Sequence, residues 1–162
     1  MPAEFVMSRI FKAPRQRVWD AWTKPDQIAR WFGPKGTTTT AVTADIRPGG
    51  MLHSYMDIPG GTRIWAKFVY REVTPPSRLV WEHSFSDEQA NIAGSPFSDN
   101  WPKVLLNTVI FEDAGNDTRV RLISVPLDAT PAEQAEFDAA LRSMDGGWGG
   151  SFDVLDDLLA AG

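Results

Sequence analysis

The sequence contains no cysteine and only two histidines in 162 residues. Without thiols no disulfide can form, and this composition fits a reducing compartment. Structural zinc sites need clusters of cysteine and histidine, so we expect no metal. No stretch approaches the roughly 18 consecutive apolar residues of a membrane helix, and the first residues lack the features of a signal peptide. We therefore expect a cytoplasmic protein that does not insert into membranes.

An excess of positive charge is also missing, since 16 basic residues face 21 acidic ones and the net charge is −5. Nucleic-acid binding depends on basic residues that neutralise phosphates, so we expect no nucleic-acid partner. The glycine-rich segments 49–50, 60–61 and 146–150 lack the neighbours that make a phosphate-binding loop. Ser95 and Ser151 lie in no nucleophile motif. The sequence therefore predicts no cofactor and assigns no catalytic residue.

Aromatic side chains are what the sequence has in abundance, with seven tryptophans and nine phenylalanines. The length predicts one domain, 1–162, which can bury roughly two-thirds of its unfolded surface. So many rings indicate a large aromatic core, a cavity lined by rings, or both.

The order of patterns predicts a strand, two short helices, six strands and a long helix. The first strand is placed at 4–11, and helices follow at 15–22 and from 23–25 to Gly33-Pro34. Alternation and turn residues then place strands at 37–47, 51–57, 62–74, 78–85, 103–112 and 118–125. The polar stretch 86–102 is long for a loop, and loops of this length are often lids or mobile segments. This order predicts an α+β fold with one antiparallel sheet.

The C-terminal helix carries the clearest signals. Thr130 and Glu133, with Pro131 between them, form a predicted capping box. An apolar stripe follows over about 30 residues, or roughly 45 Å. Glycines at 146, 147, 149 and 150 interrupt it, and each costs about 1 kcal/mol against alanine. They indicate either a kink or a place where something packs close to the backbone, and we expect a kink over the sheet. The stripe consists of Phe137, Leu141, Met144, Trp148, Phe152, Leu155 and Leu159.

The sequence resembles the SRPBCC (START-like) superfamily, and more closely the bacterial family named after the activator of the heat-shock-protein-90 ATPase. The resemblance implies a helix-grip fold, a curved antiparallel sheet wrapped around a long C-terminal helix, with a ligand cavity. Members include lipid binders, cyclases and co-chaperone domains, so the fold does not determine function. The matching motifs are Arg9-Ile10-Phe11-Lys12-Ala13-Pro14, Val18-Trp19-Asp20-Ala21-Trp22-Thr23-Lys24-Pro25, Ile28, Trp31-Phe32-Gly33-Pro34, Pro48-Gly49-Gly50, Pro75-Pro76 with Arg78-Leu79-Val80, Thr118-Arg119-Val120 and Gly147-Trp148.

Strand alternation selects the side chains that face the helix. The apolar faces of 62–74 and 78–85 are the inner ones. In 51–57 the residues alone allow either face to point inward, the one with Met51 and Tyr55 or the one with Leu52, Ser54 and Met56, and the resemblance favours the second. The resemblance also assigns the inner face of 103–112. With two residues of the last helix, the predicted cavity lining is Leu52, Ser54, Met56, Ala66, Phe68, Tyr70, Trp81, His83, Phe85, Asn107, Val109, Met144 and Trp148.

His83 is the most informative inward residue because imidazole titrates near neutrality. It can be a core histidine, a ligand contact or an acid–base group. With no inward carboxylate in sight, we expect it to be neutral, with Tyr70, Asn107 or a ligand as hydrogen-bond partner. His53 is predicted to point outward into solvent.

The leading functional hypothesis is a binding domain for a small apolar or aromatic molecule, rather than an enzyme. A cyclase- or hydrolase-like enzyme that uses His83 with Tyr70 is an alternative. A co-chaperone-like module is another, and an exposed apolar patch on the sheet would favour it. The resemblance also implies lipid binding and a role in stress response as possible functions. The sequence leaves open whether the protein forms a homodimer and whether it has a chaperone partner.

Overall fold

A computed structural model describes residues 3–33 and 35–161, in which one antiparallel sheet of seven strands packs against four helices. The strand order is β1-β7-β6-β5-β4-β3-β2. This is the predicted α+β helix-grip arrangement, which is confirmed. Pro34 lies outside the described residues, and with it part of the predicted end of the second helix. The strands are β1 (Phe5–Phe11), β2 (Thr38–Ala44), β3 (Met51–Ile58), β4 (Thr62–Thr74), β5 (Arg78–Phe85), β6 (Leu105–Ala114) and β7 (Asp117–Pro126).

Local chemistry accounts for the turns and the curvature of the sheet. Gly115 joins β6 to β7 with a φ of 68°, a conformation that tight hairpin turns require and glycine adopts readily. The β4–β5 pairing shifts register between Tyr70 and Glu72, and the β2–β3 pairing shifts between Ala41 and Thr43. Such bulges bend and twist a strand. They contribute to the curvature that lets the sheet wrap around the last helix.

The two short helices, α1 (Arg15–Thr23) and α2 (Pro25–Trp31), pack buried tryptophan side chains against the sheet. Trp22 and Trp31 meet edge to face with ring centroids 4.6 Å apart. The Trp31 indole N–H donates to the Ala21 carbonyl oxygen at 2.8 Å. Trp19 lies 5.1 Å from Phe111 of β6. These rings belong to the hydrophobic core.

The C-terminal segment forms two helices, α3 (Pro131–Ala139) and α4 (Leu141–Ala160). The capping box is confirmed: Thr130 Oγ1 accepts from the Glu133 backbone N–H, and the Glu133 carboxylate accepts from the Thr130 backbone N–H. None of the described helices is long and apolar enough to span a bilayer.

The interruption of the C-terminal helical segment falls at Ala140, between α3 and α4, and not at the glycines, since 146–150 lie inside α4. The Ala140 N–H bonds to both the Glu136 and Phe137 carbonyl oxygens, which closes the last turn of α3. Burial of Phe152 and Leu155 holds α4 in place. Tertiary packing of this kind outweighs the low helix propensity of glycine.

The prediction that His53 is solvated is also wrong. His53 points away from the inner face of β3, as alternation requires, yet its exposed fraction is 4%. The beginning of the loop 86–102 folds over it, and its Nε2–H donates to the Asp87 carbonyl oxygen at 3.0 Å. Its ring stacks on Trp65 at 4.9 Å. An outward direction does not mean exposure when a loop covers the outer face of the sheet.

Candidate functional site

An open pocket of about 630 Å³ lies between α4, the loop 86–102 and the ends of the central strands. Small-molecule sites usually have volumes of 300–1,000 Å³ and mostly apolar walls with a few polar groups. This pocket has both properties. Its lining residues are Phe32, Gly33, Met56, His83, Ser84, Phe85, Ser95, Phe97, Ser98, Trp101, Pro102, Leu105, Asn107, Glu136, Ala140, Ser143, Met144, Gly147, Trp148 and Ser151.

One wall is a stripe along α4. Positions 140, 143, 144, 147, 148 and 151 recur at spacings of three and four, so they share one helical face. Trp148 gives this wall its largest ring and meets Phe32 edge to face at 5.3 Å. Gly147 is exposed, and a Cβ built on it would have no heavy atom within 4 Å. The glycine therefore leaves space in the pocket that a side chain would occupy.

The opposite wall is the second half of the loop 86–102, which contributes Phe97 and Trp101. The loop is attached at both ends. Its first residue, Ser86, donates its backbone N–H to the Trp65 carbonyl oxygen at 3.0 Å. Near its other end the Trp101 ring lies 5.9 Å from the buried Phe137 ring of α3. Between these anchors Phe97 is 70% exposed, although it lines the pocket.

His83 connects the pocket to a buried polar network. The Trp81 indole N–H donates to His83 Nδ1 at 3.3 Å, and the Asn107 amide lies 3.3 Å from the same atom. The Ser124 hydroxyl donates to Asn107 Oδ1. Protein atoms enclose His83 densely while part of its surface faces the pocket. Burial lowers the pKa of His83 from 6.5 to about 4, so the imidazole is neutral at pH 7, as expected.

Charge is scarce around the pocket. Of the lining residues that the structure describes, Glu136 of α3 is the one that carries a full charge at neutral pH. No group of three or more potential metal ligands occurs among the described residues. Burial raises the pKa of Tyr70 well above its ordinary value, so its phenol stays protonated. No hydrogen bond joins Tyr70 to His83 in the described structure, and the pair does not form an acid–base dyad.

The predicted site residues divide into two groups. Six of them line the pocket: Met56, His83, Phe85, Asn107, Met144 and Trp148. The others do not. Leu52, Phe68, Tyr70, Trp81 and Val109 are buried in the core, and Ser54 and Ala66 are half-buried on the same strands.

The core rings among them are tightly packed. Phe68 stacks on Trp81 with centroids 5.1 Å apart. With Tyr70 they border an internal space of about 10 Å³ beneath α1 and α2. These rings therefore support the pocket from below instead of lining it.

Several lining residues were missed from the sequence. The loop residues Phe97 and Trp101 had no periodicity to place them, and the only signal was two rings in a polar stretch. Ser143 and Gly147 lie beside the apolar stripe of the helix, and a helical projection widened by one residue would have included them. Glu136 lies one turn after the capping box, and no feature of the sequence indicated that it faces a pocket.

The chain matches the family described as "Activator of Hsp90 ATPase homolog 1-like protein" over residues 12–160. The chain belongs to this family. This membership confirms the resemblance seen in the sequence motifs. The family has the SRPBCC helix-grip fold, which commonly serves ligand binding or co-chaperone-like interaction.

Solved structures of the same fold agree with the family membership. A protein from Arthrobacter aurescens is 28% identical, with a TM-score of 0.82, and the match covers 99% of this chain and 88% of the other. A protein from Mycobacterium smegmatis is 23% identical, with a TM-score of 0.80 and coverage of 98% and 91%. An AHSA1 protein from Silicibacter pomeroyi is 20% identical, with a TM-score of 0.76 and coverage of 98% and 99%. A comparison with curated proteins found no match.

Proposed function

We propose that the pocket binds a small apolar or aromatic molecule. The observation that carries this proposal is the contrast between two neighbouring regions of the molecule. Below Trp81 and Phe68 the rings leave about 10 Å³, whereas next to His83 about 630 Å³ stays open although rings border it. Apolar surface around open space gains free energy when a ligand removes it from water.

The shape of the walls supports the same proposal. Phe32, Phe97, Trp101 and Trp148 offer ring faces and edges, which suit planar apolar molecules. The hydroxyl oxygens of Ser95, Ser98 and Ser151 each accept a backbone N–H, and their hydroxyl hydrogens can still donate to water or to a ligand. The second half of the loop 86–102 forms one wall of the pocket, and its Phe97 ring is largely exposed there.

Two glycine substitutions on α4 test the proposal. Gly147→Phe places a ring inside the pocket and should block it, whereas Gly146→Phe places the same ring one position away, outside the lining. A Cβ at either position meets no heavy atom within 4 Å, and both positions are exposed. Both changes also replace glycine in the middle of a helix, which is expected to add a few tenths of a kcal/mol of stability.

The measurement is binding of N-phenyl-1-naphthylamine, an uncharged probe whose fluorescence rises in apolar sites. We expect wild type and Gly146→Phe to bind with similar affinity and Gly147→Phe to bind at least about tenfold more weakly, which corresponds to about 1.4 kcal/mol. Equal binding by all three proteins would place the probe elsewhere and contradict the proposal.

A further inference from the structure

We infer that the pocket selects an apolar ligand that bears an uncharged hydrogen-bond acceptor, such as a ketone, ester or amide carbonyl, and that His83 Nε2–H donates to this acceptor. The inference rests on the proposed function and specifies the ligand chemistry of the same pocket. It follows from the position of one proton on the imidazole ring and from the charges around the pocket.

Trp81 determines where that proton is. An indole N–H can donate but cannot accept, and the Trp81 N–H points at His83 Nδ1. If Nδ1 carried a proton, two donors would face each other in a buried place. Nδ1 is therefore unprotonated and accepts through its lone pair. In a neutral imidazole the proton then resides on Nε2.

Asn107 and Ser124 agree with this assignment. Asn107 Oδ1 accepts from the Ser124 hydroxyl, which leaves the Asn107 Nδ2 hydrogens to face His83 Nδ1. The exposed fractions of Asn107 and Ser124 are 1% and 0%, so water does not compete for these groups. An amide alone could turn over and reverse the pattern. The indole cannot, and it therefore decides between the two arrangements.

The Nε2–H group faces the pocket. No described residue forms a hydrogen bond with Nε2, and this nitrogen is not fully buried. It therefore touches accessible space, and the open space that His83 borders is the pocket. A donor held on an apolar wall favours a ligand that places an acceptor against it, because a bound ligand without one leaves the N–H unpaired.

The charges around the pocket oppose an anionic acceptor. No lysine or arginine lines the pocket among the described residues, and Glu136 adds negative charge. A carboxylate moved from water into such a place loses its hydration without a compensating cation, which is costly. The pocket should therefore disfavour free fatty acids and aromatic carboxylates and accept their uncharged esters, amides and ketones.

Three naphthalene probes of similar size separate these possibilities in the wild-type protein. 2-Acetylnaphthalene carries a carbonyl oxygen, 2-isopropenylnaphthalene replaces that oxygen by CH₂, and 2-naphthoate replaces the acetyl group by a carboxylate. We expect the ketone to bind about two- to twelvefold more tightly than the alkene, the range for one neutral hydrogen bond. We expect the carboxylate to bind more weakly than either. Displacement of the fluorescent probe from the pocket measures all three affinities.

A variant and a spectrum test the role of His83 directly. His83→Phe should abolish the preference for the ketone and keep binding of the alkene. The imidazole ¹⁵N–¹H correlation spectrum of the wild-type protein should show the Nε2–H tautomer for the signals that disappear in His83→Phe. This spectrum needs no ligand, and a purely structural role of His83 would not change the ratio between the two neutral probes.

The outcomes separate this inference from the proposed function. Equal binding of ketone and alkene by wild type, or an Nδ1–H tautomer, overturns the inference while ligand binding stands. Tightest binding of the carboxylate overturns it as well. If no probe binds and Gly147→Phe behaves like Gly146→Phe, the proposed function fails and the inference fails with it.

Discussion

Acidification should destabilise this protein partly through His83. Burial lowers the pKa of His83 from 6.5 to about 4 in the folded protein. In the unfolded chain the pKa returns to its ordinary value, so between these two values the unfolded state binds more protons than the folded state. The free energy of unfolding therefore falls as the pH drops below 6.5, and the loss ends near the folded pKa. Above pH 7 this group has no further effect.

The magnitude follows from the size of the pKa difference. Each pKa unit corresponds to about 1.4 kcal/mol, which sets a limit of about 3 kcal/mol for His83. Between pH 7 and pH 4.5 roughly 2 kcal/mol of this should be lost. A domain of ordinary stability has about 5–15 kcal/mol in total, so the effect is large enough to measure and small enough to leave the protein folded.

The assay is urea denaturation of wild type and His83→Gln at both pH values. Other groups that change protonation between the two pH values contribute similarly to both proteins. The difference between the two pH-induced losses therefore isolates His83. We expect wild type to lose about 2 kcal/mol more than the variant. Equal losses would mean that His83 is protonated without cost, and the assignment of a buried neutral imidazole would then be wrong.

Two further predictions concern stability. Trp81→Ala should destabilise the protein by about 3–5 kcal/mol, because Trp81 is 1% exposed and stacks on Phe68. Trp148→Ala should cost only about 1–3 kcal/mol, because Trp148 borders the open pocket. Chemical denaturation measures both losses, and equal losses would contradict the separation of core and pocket. Thr130→Ala should cost about 1 kcal/mol through loss of the capping box, whereas Thr130→Ser should keep most of the stability; thermal unfolding of both variants measures the difference.

The fold was predictable from the sequence because its signals are local. Alternation and turn residues placed β4 and β5 at their observed bounds, 62–74 and 78–85. Thr130 and Glu133 marked the start of α3, since a capping box needs only four residues. The break at Ala140 was not predictable in this way. It depends on how α4 packs against β1 and α2, and the run of glycines gave a stronger local signal at the wrong place.

The site was predictable only in part because alternation assigns a face of the sheet and not what covers it. Trp81 and His83 share the inner face of β5, yet Trp81 lies under Trp22 of α1 while His83 faces the pocket. Which part of the face stays uncovered depends on the loop 86–102 and the position of α4. The same limit explains His53, which a loop segment covers from the outside.

The separation between the tryptophan core and the pocket bears on how this protein can diversify. The rings of α1, α2 and β5 belong to the core, whereas part of the pocket wall consists of loop residues and of glycine and serine on α4. Substitutions at the exposed positions Ser143 or Gly147 can therefore reshape the pocket at little cost to folding. Such a scaffold can evolve new ligand specificities one residue at a time, because changes in recognition do not first have to be compensated in the core.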